Sequence, residues 1–494
     1  MRTRWLAVPL AAAVLVAGCG GDNGEEGEGP GDKTVPTAGA GKAENCPVDA
    51  LAAAKGQVEV NVWYAFQGVA AKGIEKLAAD YNASQDKVVV KVANQGSYEE
   101  QLGKYKTALA KPDSLPEMVT AEDTNARFIL DSNSVVTAED CLAADPDAKD
   151  LYDDLVPAVR AAYSIDDKLQ PVAFGVSNPV LYFNQAHFRA AGIDTTKPPS
   201  TLDELRAAAE KLKAANIAGL EQPLVLKMDS WFLEHWLTGQ GEAVVDKDNG
   251  RGGIPTKALL ESDAALEVVN WIKKMVDDGL VKAVRSNDDI SSYLAVATQS
   301  GSMLIETSAA ITTIDAAIAG TLDPSMLPGV DIDVSGIKFD TLEVGVALLP
   351  GKAQAGKGQI GGNAWYIPKK KPEEIAAAWD FAKYVNSPEA QVGWTLTSGY
   401  LPSHQDAADD PTLVEDWTKT RKGGWSKIAY QGTLSLDPDF TGPLIGAYAA
   451  FRTEARAALD AIAFEGADPA ARLKEADERI ATAFAAYAQN PGQS

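Results

Sequence analysis

Two motifs in the chain approach known catalytic signatures, and each lacks a required residue. The run 351–358, GKAQAGKG, has the lysine of a phosphate-binding loop, but Gly358 stands where a Ser or Thr hydroxyl must hold magnesium. Ser177 lacks the second glycine of a nucleophile elbow, and the three histidines form no H-E-x-x-H pair. We therefore predict no enzymatic activity, no cofactor and no metal.

Two patterns typical of nucleotide and calcium sites fail in the same way. The glycines of 356–361 fit G-x-G-x-x-G, but the run 363–368 that follows resembles a strand instead of a phosphate-binding helix. The acidic run 331–336 resembles the start of a calcium loop, although Leu342 replaces the bidentate glutamate. We interpret both as turns.

The amino-acid composition and net charge of the chain limit the partners that it can bind. The chain has 494 residues, 46% of them hydrophobic and 23% charged, which is typical of a folded protein of two or three domains. Asp and Glu outnumber Lys and Arg by 69 to 45, for a net charge of -24. A surface this acidic repels phosphate backbones, so we expect no nucleic-acid partner.

Aromatic and polar side chains lie at or just after the ends of the first three predicted strands, which span 58–64, 87–92 and 116–120. Helical periodicity between these strands predicts right-handed crossovers and a parallel sheet, and ligands bind beyond the carboxyl ends of such strands. Aromatic rings stack on sugar faces and polar side chains bind hydroxyls, so these loops suit a sugar or polyol. The candidate residues are Trp63, Tyr64, Gln67, Ser97, Glu99, Glu122 and Asp123. Glu99 also fits a solvated carboxylate in a first helical turn.

The same alternation of strands and helices returns after residue 170. An extended run covers 171–184, helices are predicted after Ser200 and over 262–278 and 372–385, and 446–488 is helical throughout. Because one core seldom exceeds ~250–300 residues, we predict an α/β protein with two lobes. Each lobe is expected to be a mainly parallel sheet with helices on both faces.

The first residues predict export. Arg2 and Arg4 precede an apolar run, and Cys19 follows a small-residue cleavage site, so 1–18 is predicted to be a signal peptide and Cys19 the lipidated N-terminus of a bacterial lipoprotein. A plain signal peptide with a chance cysteine is the alternative. Residues 19–43 lack large apolar side chains and are predicted to be a disordered tether.

Cys46 and Cys141 are the remaining cysteines. Oxidising conditions outside the cell favour one disulfide between them, whereas two buried free thiols are the alternative.

The tryptophans fall into two groups, one expected in the hydrophobic core and one that could contact a ligand. Trp271 and Trp379 fall on predicted helix stripes and are expected in the core, whereas Trp231, Trp236 and Trp365 are better site candidates.

Several runs resemble family 1 extracellular solute-binding proteins of ABC importers. They are FGVSNPVLYFN at 174–184, GGNAWYIP at 361–368, NSPE at 386–389 and SGYLP at 398–402. The order and spacing of these runs cover nearly the whole mature chain. The resemblance implies a two-lobed, type II periplasmic-binding-protein-like fold.

Within the family, QGSYE at 95–99 and the run 398–402 resemble the glycerol-3-phosphate-binding subgroup. That subgroup carries a phosphate-binding arginine inside a Gly-x-Arg-x-Gly stretch, and the matching 442–446 has Leu444 there. Without that guanidinium, a dianionic phosphate loses its best partner. We therefore expect a neutral sugar or polyol, with glycerol-3-phosphate or a glycerophosphodiester as the alternative.

The resemblance also implies site residues and lobe boundaries. Glu99, Ser177, Gly362 and Tyr400 match ligand-contacting positions, Trp63, Tyr64 and Glu122 lie in loops that contact the ligand in relatives, and Asn178, Asn363 and Trp365 lie in the quoted motifs. Trp231 ends the run 228–231, where relatives place a stacking ring. Lobe one is predicted over 57–170 plus 307–362, lobe two over 171–306 plus 363–445, and C-terminal helices over 446–488.

The implied mechanism is capture of a small solute, closure of the lobes and delivery to the permease subunits. The protein is expected to be a monomer that is held by its lipid at the outer face of the cytoplasmic membrane. A secreted glycan-active enzyme, which needs two carboxylates flanking a bond, and a receptor without a permease are the other classes considered.

Overall fold

The computed structural model describes residues 41–166, 168–321 and 341–493, without the side chains of 289 and 290. The predicted signal peptide 1–18, Cys19, the tether up to residue 40 and the acidic run 331–336 lie outside the described residues. Within the described ranges, no helix is both long enough and apolar enough to cross a membrane.

The described strands form two large sheets and a small hairpin. They are β1 (Val58–Tyr64), β2 (Val88–Asn94), β3 (Met118–Glu122), β4 (Val135–Val136), β5 (Ser164–Ile165), β6 (Lys168–Leu169), β7 (Val172–Ser177), β8 (Pro179–Asn184), β9 (Gln222–Met228), β10 (Val281–Arg285), β11 (Gly301–Thr307), β12 (Val344–Leu348) and β13 (Gly361–Pro368).

The first sheet has the order β2-β1-β3-β13-β4, with β7 also paired to β13. Strands β1, β2 and β3 are parallel, as predicted, and β13 is antiparallel to its neighbours. The second sheet has the order β10-β9-β11-β8-β12, in which β9, β10 and β11 are parallel and β8 is antiparallel to β11 and β12. The α/β fold class is confirmed, and antiparallel strands flank a parallel core in each sheet.

The sheets divide the chain differently from the predicted lobe boundaries. Strand β7, predicted in lobe two, belongs to the first sheet, and Asn178 alone separates it from β8 of the second sheet. Strand β12, predicted in lobe one, pairs in the second sheet, while β13 returns to the first. Periodicity identifies strands, but it does not identify the partners that a strand finds after a crossing.

Helices cover both sheets. Beside the first sheet the longer helices are Gly68–Ser84, Tyr98–Leu109, Ala126–Asp131, Ala138–Ala144, Pro157–Tyr163, Pro372–Val385, Pro388–Ser398 and Pro411–Lys419. The helix Arg421–Leu434 packs against Pro411–Lys419 and against β12 of the second sheet. Beside the second sheet the longer helices are Gln185–Ala190, Leu202–Ala214, Ser230–Thr238, Asp263–Asp277, Asp289–Ala297, Tyr448–Glu465 and Pro469–Gln489, and Ile311–Ile318 packs against Arg421–Leu434.

Capping residues set the helix starts that face the site. The Ser97 hydroxyl accepts from the Glu100 N–H at 3.1 Å, and the Glu100 carboxylate accepts from the Ser97 N–H at 2.8 Å. This capping box fixes Tyr98 as the first residue of its helix. Asp229 caps the helix Ser230–Thr238 in the same way, because its carboxylate accepts from the Trp231 N–H at 2.9 Å.

The C-terminal helices complete the second lobe. Phe451, Leu459, Ile480 and Phe484 are buried in its core. The Tyr487 hydroxyl donates to the Asp131 carboxylate of the first lobe at 2.7 Å. These helices therefore connect the two lobes.

The N-terminal segment is fixed to the first lobe. Cys46 and Cys141 form a disulfide with their Cα atoms 4.9 Å apart, the pairing that the sequence favoured. The Lys42 N–H donates to the Asp140 carboxylate at 2.7 Å. The described chain is therefore attached from Lys42, just before the predicted end of the tether.

Candidate functional site

Three polar side chains meet where β3 ends and β13 begins. Asn363 lies opposite Glu122 in the antiparallel pair, and its side-chain amide donates to the hydroxyls of Tyr98 at 3.1 Å and Tyr400 at 3.4 Å. The two hydroxyls lie 3.2 Å apart. We call Tyr98, Asn363 and Tyr400 the first-lobe wall.

Tyr400 is held rigidly in this wall. Its ring stacks on Trp394 with the centroids 5.4 Å apart and contacts the ring of Phe66 edge-on at 5.5 Å. Burial raises the pKa of Tyr400 to about 12, so its hydroxyl stays protonated. The wall thus presents neutral hydroxyl and amide groups, and the Oδ1 atom of Asn363 is buried without a hydrogen-bond partner.

The second lobe contributes charged side chains. The Arg452 guanidinium donates to the Glu122 carboxylate at 3.2 Å, which joins the lobes, and Arg456 donates to Asp229 at 2.9 Å. The Tyr448 hydroxyl donates to Glu234. We call Asp229, Glu234, Tyr448, Arg452 and Arg456 the second-lobe wall.

Burial and ion pairing set the charges between the lobes. Burial alone would raise the pKa of Asp229, but Arg452 and Arg456 outweigh it and lower that pKa. Burial raises the pKa of Glu234. Burial and the nearby Glu122 raise the pKa of Asp123 to about 8, so this carboxyl is mainly protonated at neutral pH.

Trp231 lies against the start of β13. A methyl group on Gly361 would lie 2.8 Å from the Trp231 ring, so only a glycine leaves room for the indole here. The Trp231 ring also contacts His235 edge-on, with the centroids 4.6 Å apart. Burial lowers the pKa of His235 to about 3, so the group supporting the indole is neutral.

Gly362 and Ser177 shape the backbone beside Trp231. Gly362 has a φ of +131°, and a Cβ atom there would lie 2.0 Å from the Gly175 carbonyl oxygen. Ser177 is buried and lies opposite Gly361 in the pair of β7 and β13. The structure thus explains Gly362 by close backbone packing.

Three predicted site residues serve the scaffold. Trp365 is fully buried between Phe174 and Phe381, and Trp236 is buried with its indole N–H donating to the Pro350 carbonyl at 2.9 Å. The Asn178 amide donates to the Ala429 carbonyl at 3.0 Å and to Thr433 at 3.2 Å, which fixes the crossing between the sheets. These three side chains are therefore engaged in core packing or in the crossing between the sheets, and their contact with a ligand stays a prediction.

The remaining predicted residues lie around the end of β1 and the start of the helix Tyr98–Leu109. Trp63 is half-buried on the first core, and the buried Tyr64 donates to Glu75 at 3.3 Å. Gln67 is exposed and donates to the Gly96 carbonyl at 2.8 Å. Ser97 is engaged as a cap, and Glu99 is exposed in the first helical turn, as its alternative interpretation predicts.

Sequence reasoning missed most of the second-lobe wall. Arg452 is the basic residue nearest to 442–446 in the chain, but the sequence pattern did not single out Asp229, Glu234, Tyr448 or Arg456. The only local signal was Asp229, whose position before an apolar helix is typical of a cap. Groups of three His, Cys, Asp or Glu arranged to hold a metal are absent from the described residues.

Comparison with known proteins agrees with this architecture. Over 355 residues, 70% of this chain and 74% of the relative, the sequence is 26% identical to the sn-glycerol-3-phosphate-binding periplasmic protein UgpB of Yersinia pestis. UgpB from Mycobacterium tuberculosis, solved with glycerophosphocholine, covers 88% of this chain and 100% of its own at a TM-score of 0.69 and 19% identity.

The GacH receptor of Streptomyces glaucescens, solved unliganded and with acarbose, covers 87% of this chain and 99% of its own at a TM-score of 0.68 and 18% identity. At such identities the two solved structures show the shared two-lobed fold alone. The family of bacterial extracellular solute-binding proteins matches residues 76–421, most of the chain, and the protein therefore belongs to that family.

Proposed function

We propose that this chain is the substrate-binding lipoprotein of an ABC importer, which captures a neutral sugar or polyol between its lobes and delivers it to the permease. Membership of the extracellular solute-binding family supports capture of a solute and not catalysis. The ligand class is argued from the two walls.

The main observation in favour of a neutral ligand is that both arginines of the second-lobe wall are paired with carboxylates. Arg452 is bound to Glu122 and Arg456 to Asp229, so neither guanidinium offers an uncompensated charge to an anion. The Nε atoms of both arginines have no hydrogen-bond partner, but a phosphate that accepted from them would lie beside a mostly buried carboxylate of like charge. Displacing that carboxylate would leave it unpaired at a cost of several kcal/mol. The net charge of -24 adds to this repulsion.

The first-lobe wall supplies what a polyhydroxy ligand needs. Tyr98, Asn363 and Tyr400 bring donors and acceptors together without a net charge. Trp231 is a half-buried aromatic ring that lies against Gly361, two residues before Asn363 on β13. Hydroxyl groups pair with such side chains, and the apolar face of a sugar packs on an indole.

Glycerol-3-phosphate or a glycerophosphodiester is the second candidate. Its support is the curated relative that binds glycerol-3-phosphate and the similar fold solved with glycerophosphocholine. Leu444, which is buried and donates its N–H to the Asn249 carbonyl at 2.9 Å, offers no charge in place of the subgroup's arginine.

Delivery places the protein at a membrane. We propose that Cys19 carries lipid and that the segment up to residue 41 acts as a tether, so that a monomer reaches the permease from the outer face of the cytoplasmic membrane. Metabolic labelling with a fatty acid should mark the wild-type chain and fail to mark Cys19→Ala.

Thermal shift followed by calorimetry tests the ligand class. Maltose, glucose, glycerol, glycerol-3-phosphate and glycerophosphocholine serve as probes, and a probe at one hundred times its Kd stabilises the fold by ~2.7 kcal/mol. We expect tight binding of a neutral saccharide. Trp231→Ala should weaken this binding, whereas Trp271→Ala, a half-buried indole elsewhere in the same lobe, should not. Micromolar binding of glycerol-3-phosphate, without any saccharide binding, would overturn the proposal that the ligand is a neutral sugar or polyol.

A further inference from the structure

A small cavity beside the loop 442–446 is lined from both lobes. Asp123 and Tyr163 belong to the first lobe, Arg251 belongs to the second, and Gln359 and Leu444 lie on connecting segments. Its volume is about 30 Å³, which is room for one or two oxygen-sized groups.

Arg251 is the basic residue of this cavity, and its guanidinium is only partly satisfied. Its Nη2 atom donates to the carbonyl oxygens of Ala162 and Gly442, both at 3.2 Å. Its Nε atom is shielded from solvent and has no hydrogen-bond partner. Among the described residues, no carboxylate lies within ion-pair distance of it.

A shielded guanidinium N–H without an acceptor is costly. Burying such a donor loses its hydrogen bond to water, a penalty of ~1–3 kcal/mol or more for a charged group. The same burial lowers the pKa of Arg251 to about 10. An oxygen atom that accepts from Nε would therefore stabilise this site.

The surroundings decide which oxygen fits. Glu122, Asp123, Asp229 and Glu234 face the space between the lobes, against Arg251, Arg452 and Arg456. With Asp123 mainly protonated, the other three carboxyl groups at most match the three cations, and Arg452 and Arg456 are already paired with Glu122 and Asp229. The cluster therefore offers an anion little net positive charge. The cavity is also too small for the four oxygens of a phosphate. A single hydroxyl oxygen meets both constraints.

We infer that Arg251 is a ligand-contacting residue, whose Nε–H donates to one hydroxyl oxygen of the captured sugar or polyol. This inference rests on the proposed function and adds a contact on the side of the cleft where the subgroup's arginine is replaced by Leu444. Arg251 therefore selects for a hydroxyl at one end of the solute.

Calorimetry on the mature chain tests this contact with maltose, glucose and glycerol as neutral probes and glycerol-3-phosphate as the anionic probe. Arg251→Met removes the donors and keeps the length of the side chain, and Arg251→Lys keeps the charge. Arg189→Met is the control, because Arg189 is exposed and paired with the exposed Glu343 at 2.7 Å. We expect Arg251→Met to lower the affinity for the best-binding neutral probe by about tenfold or more, and Arg251→Lys to recover part of that affinity.

Melting curves verify that each variant is folded. A deoxy analogue of the best probe, which lacks the bound hydroxyl, should bind the wild type and Arg251→Met with the same affinity. Affinities within twofold of wild type for all neutral probes would overturn the contact alone. A loss confined to glycerol-3-phosphate would assign Arg251 to an anion and overturn the hydroxyl. Failure of every neutral probe to bind the wild type would overturn the proposed function together with this contact.

Discussion

The two walls of the candidate site face the same space but differ in charge. The first-lobe wall is neutral, with Tyr98, Asn363 and Tyr400 joined by hydrogen bonds. The second-lobe wall is charged, with Arg452 and Arg456 each bound to a carboxylate. A neutral network can exchange its hydrogen bonds with a ligand at little cost, whereas a buried ion pair cannot give up a partner cheaply. We therefore assign ligand recognition mainly to the first wall and lobe alignment to the second.

The link at Glu122 explains why the walls depend on each other. Glu122 ends β3 beside Asn363, yet its partner is Arg452 on a C-terminal helix. The side chains are mostly buried, at 21% and 13% exposure. The position of one lobe is thus coupled to the charge of the other, and variants of each wall should behave differently.

The largest effect should come from breaking the ion pair between the lobes. Arg452→Met leaves Glu122 without its cation and removes positive charge near Asp229 and Glu234. We expect the free energy of unfolding to fall by about 3 kcal/mol. Urea unfolding measures this change.

Two further variants sharpen that result. Arg189→Met removes an exposed cation of a surface pair and should change the free energy of unfolding by less than about 0.5 kcal/mol. Combining Arg452→Met with Glu122→Gln removes both charges and should recover part of the loss. Equal stability of Arg452→Met and Arg189→Met would show that the second wall does not align the lobes.

The pH dependence of stability tests the charge balance between the walls. The pKa of Asp123 is about 8 in the folded chain and about 3.9 in an unfolded one. Between these values the folded chain keeps a proton that the unfolded chain has released, so this group lowers stability as pH rises from about 4 to about 8. Asp123→Asn should remove this dependence and gain melting temperature over the wild type as pH rises.

Melting curves at several pH values, with the exposed Asp113→Asn as the charge control, measure this gain. An Asp123→Asn variant that parallels the wild type across the whole range would contradict the raised pKa. It would also remove the argument that the space between the walls disfavours a further negative charge.

Local patterns predicted the first wall better than the second. Alternation identified β1, and the capping spacing of Ser97 and Glu100 identified the helix that carries Tyr98, because both signals lie within a few residues. The partner of β13 was not predictable, since it pairs with β3 more than two hundred residues earlier in the chain. Trp365 is buried because the motif that contains Asn363 continues along β13 into the core.

Few sequence signals indicate the second-lobe wall. Arg452 and Arg456 are charged residues one helical turn apart, a spacing that is equally typical of a solvated helix face. Only the packing of Phe451 and Leu459 into the second core turns these arginines toward Asp229 and Glu122. The charge of a site is therefore decided by tertiary contacts that periodicity alone does not reveal.

The smallest expected effect belongs to the neutral wall. Tyr400→Phe removes the hydroxyl that meets Tyr98 and Asn363, while the ring keeps its stacking on Trp394. We expect the affinity for the best-binding saccharide to fall about fivefold, or ~1 kcal/mol, with the melting temperature little changed, because one neutral hydrogen bond is lost and the packing is kept. Tyr430→Phe, a buried tyrosine of the helix Arg421–Leu434, is the matched control for calorimetry. Unchanged affinity in Tyr400→Phe would place recognition outside the hydroxyl network, and the division of roles between the two walls would then have to be reversed.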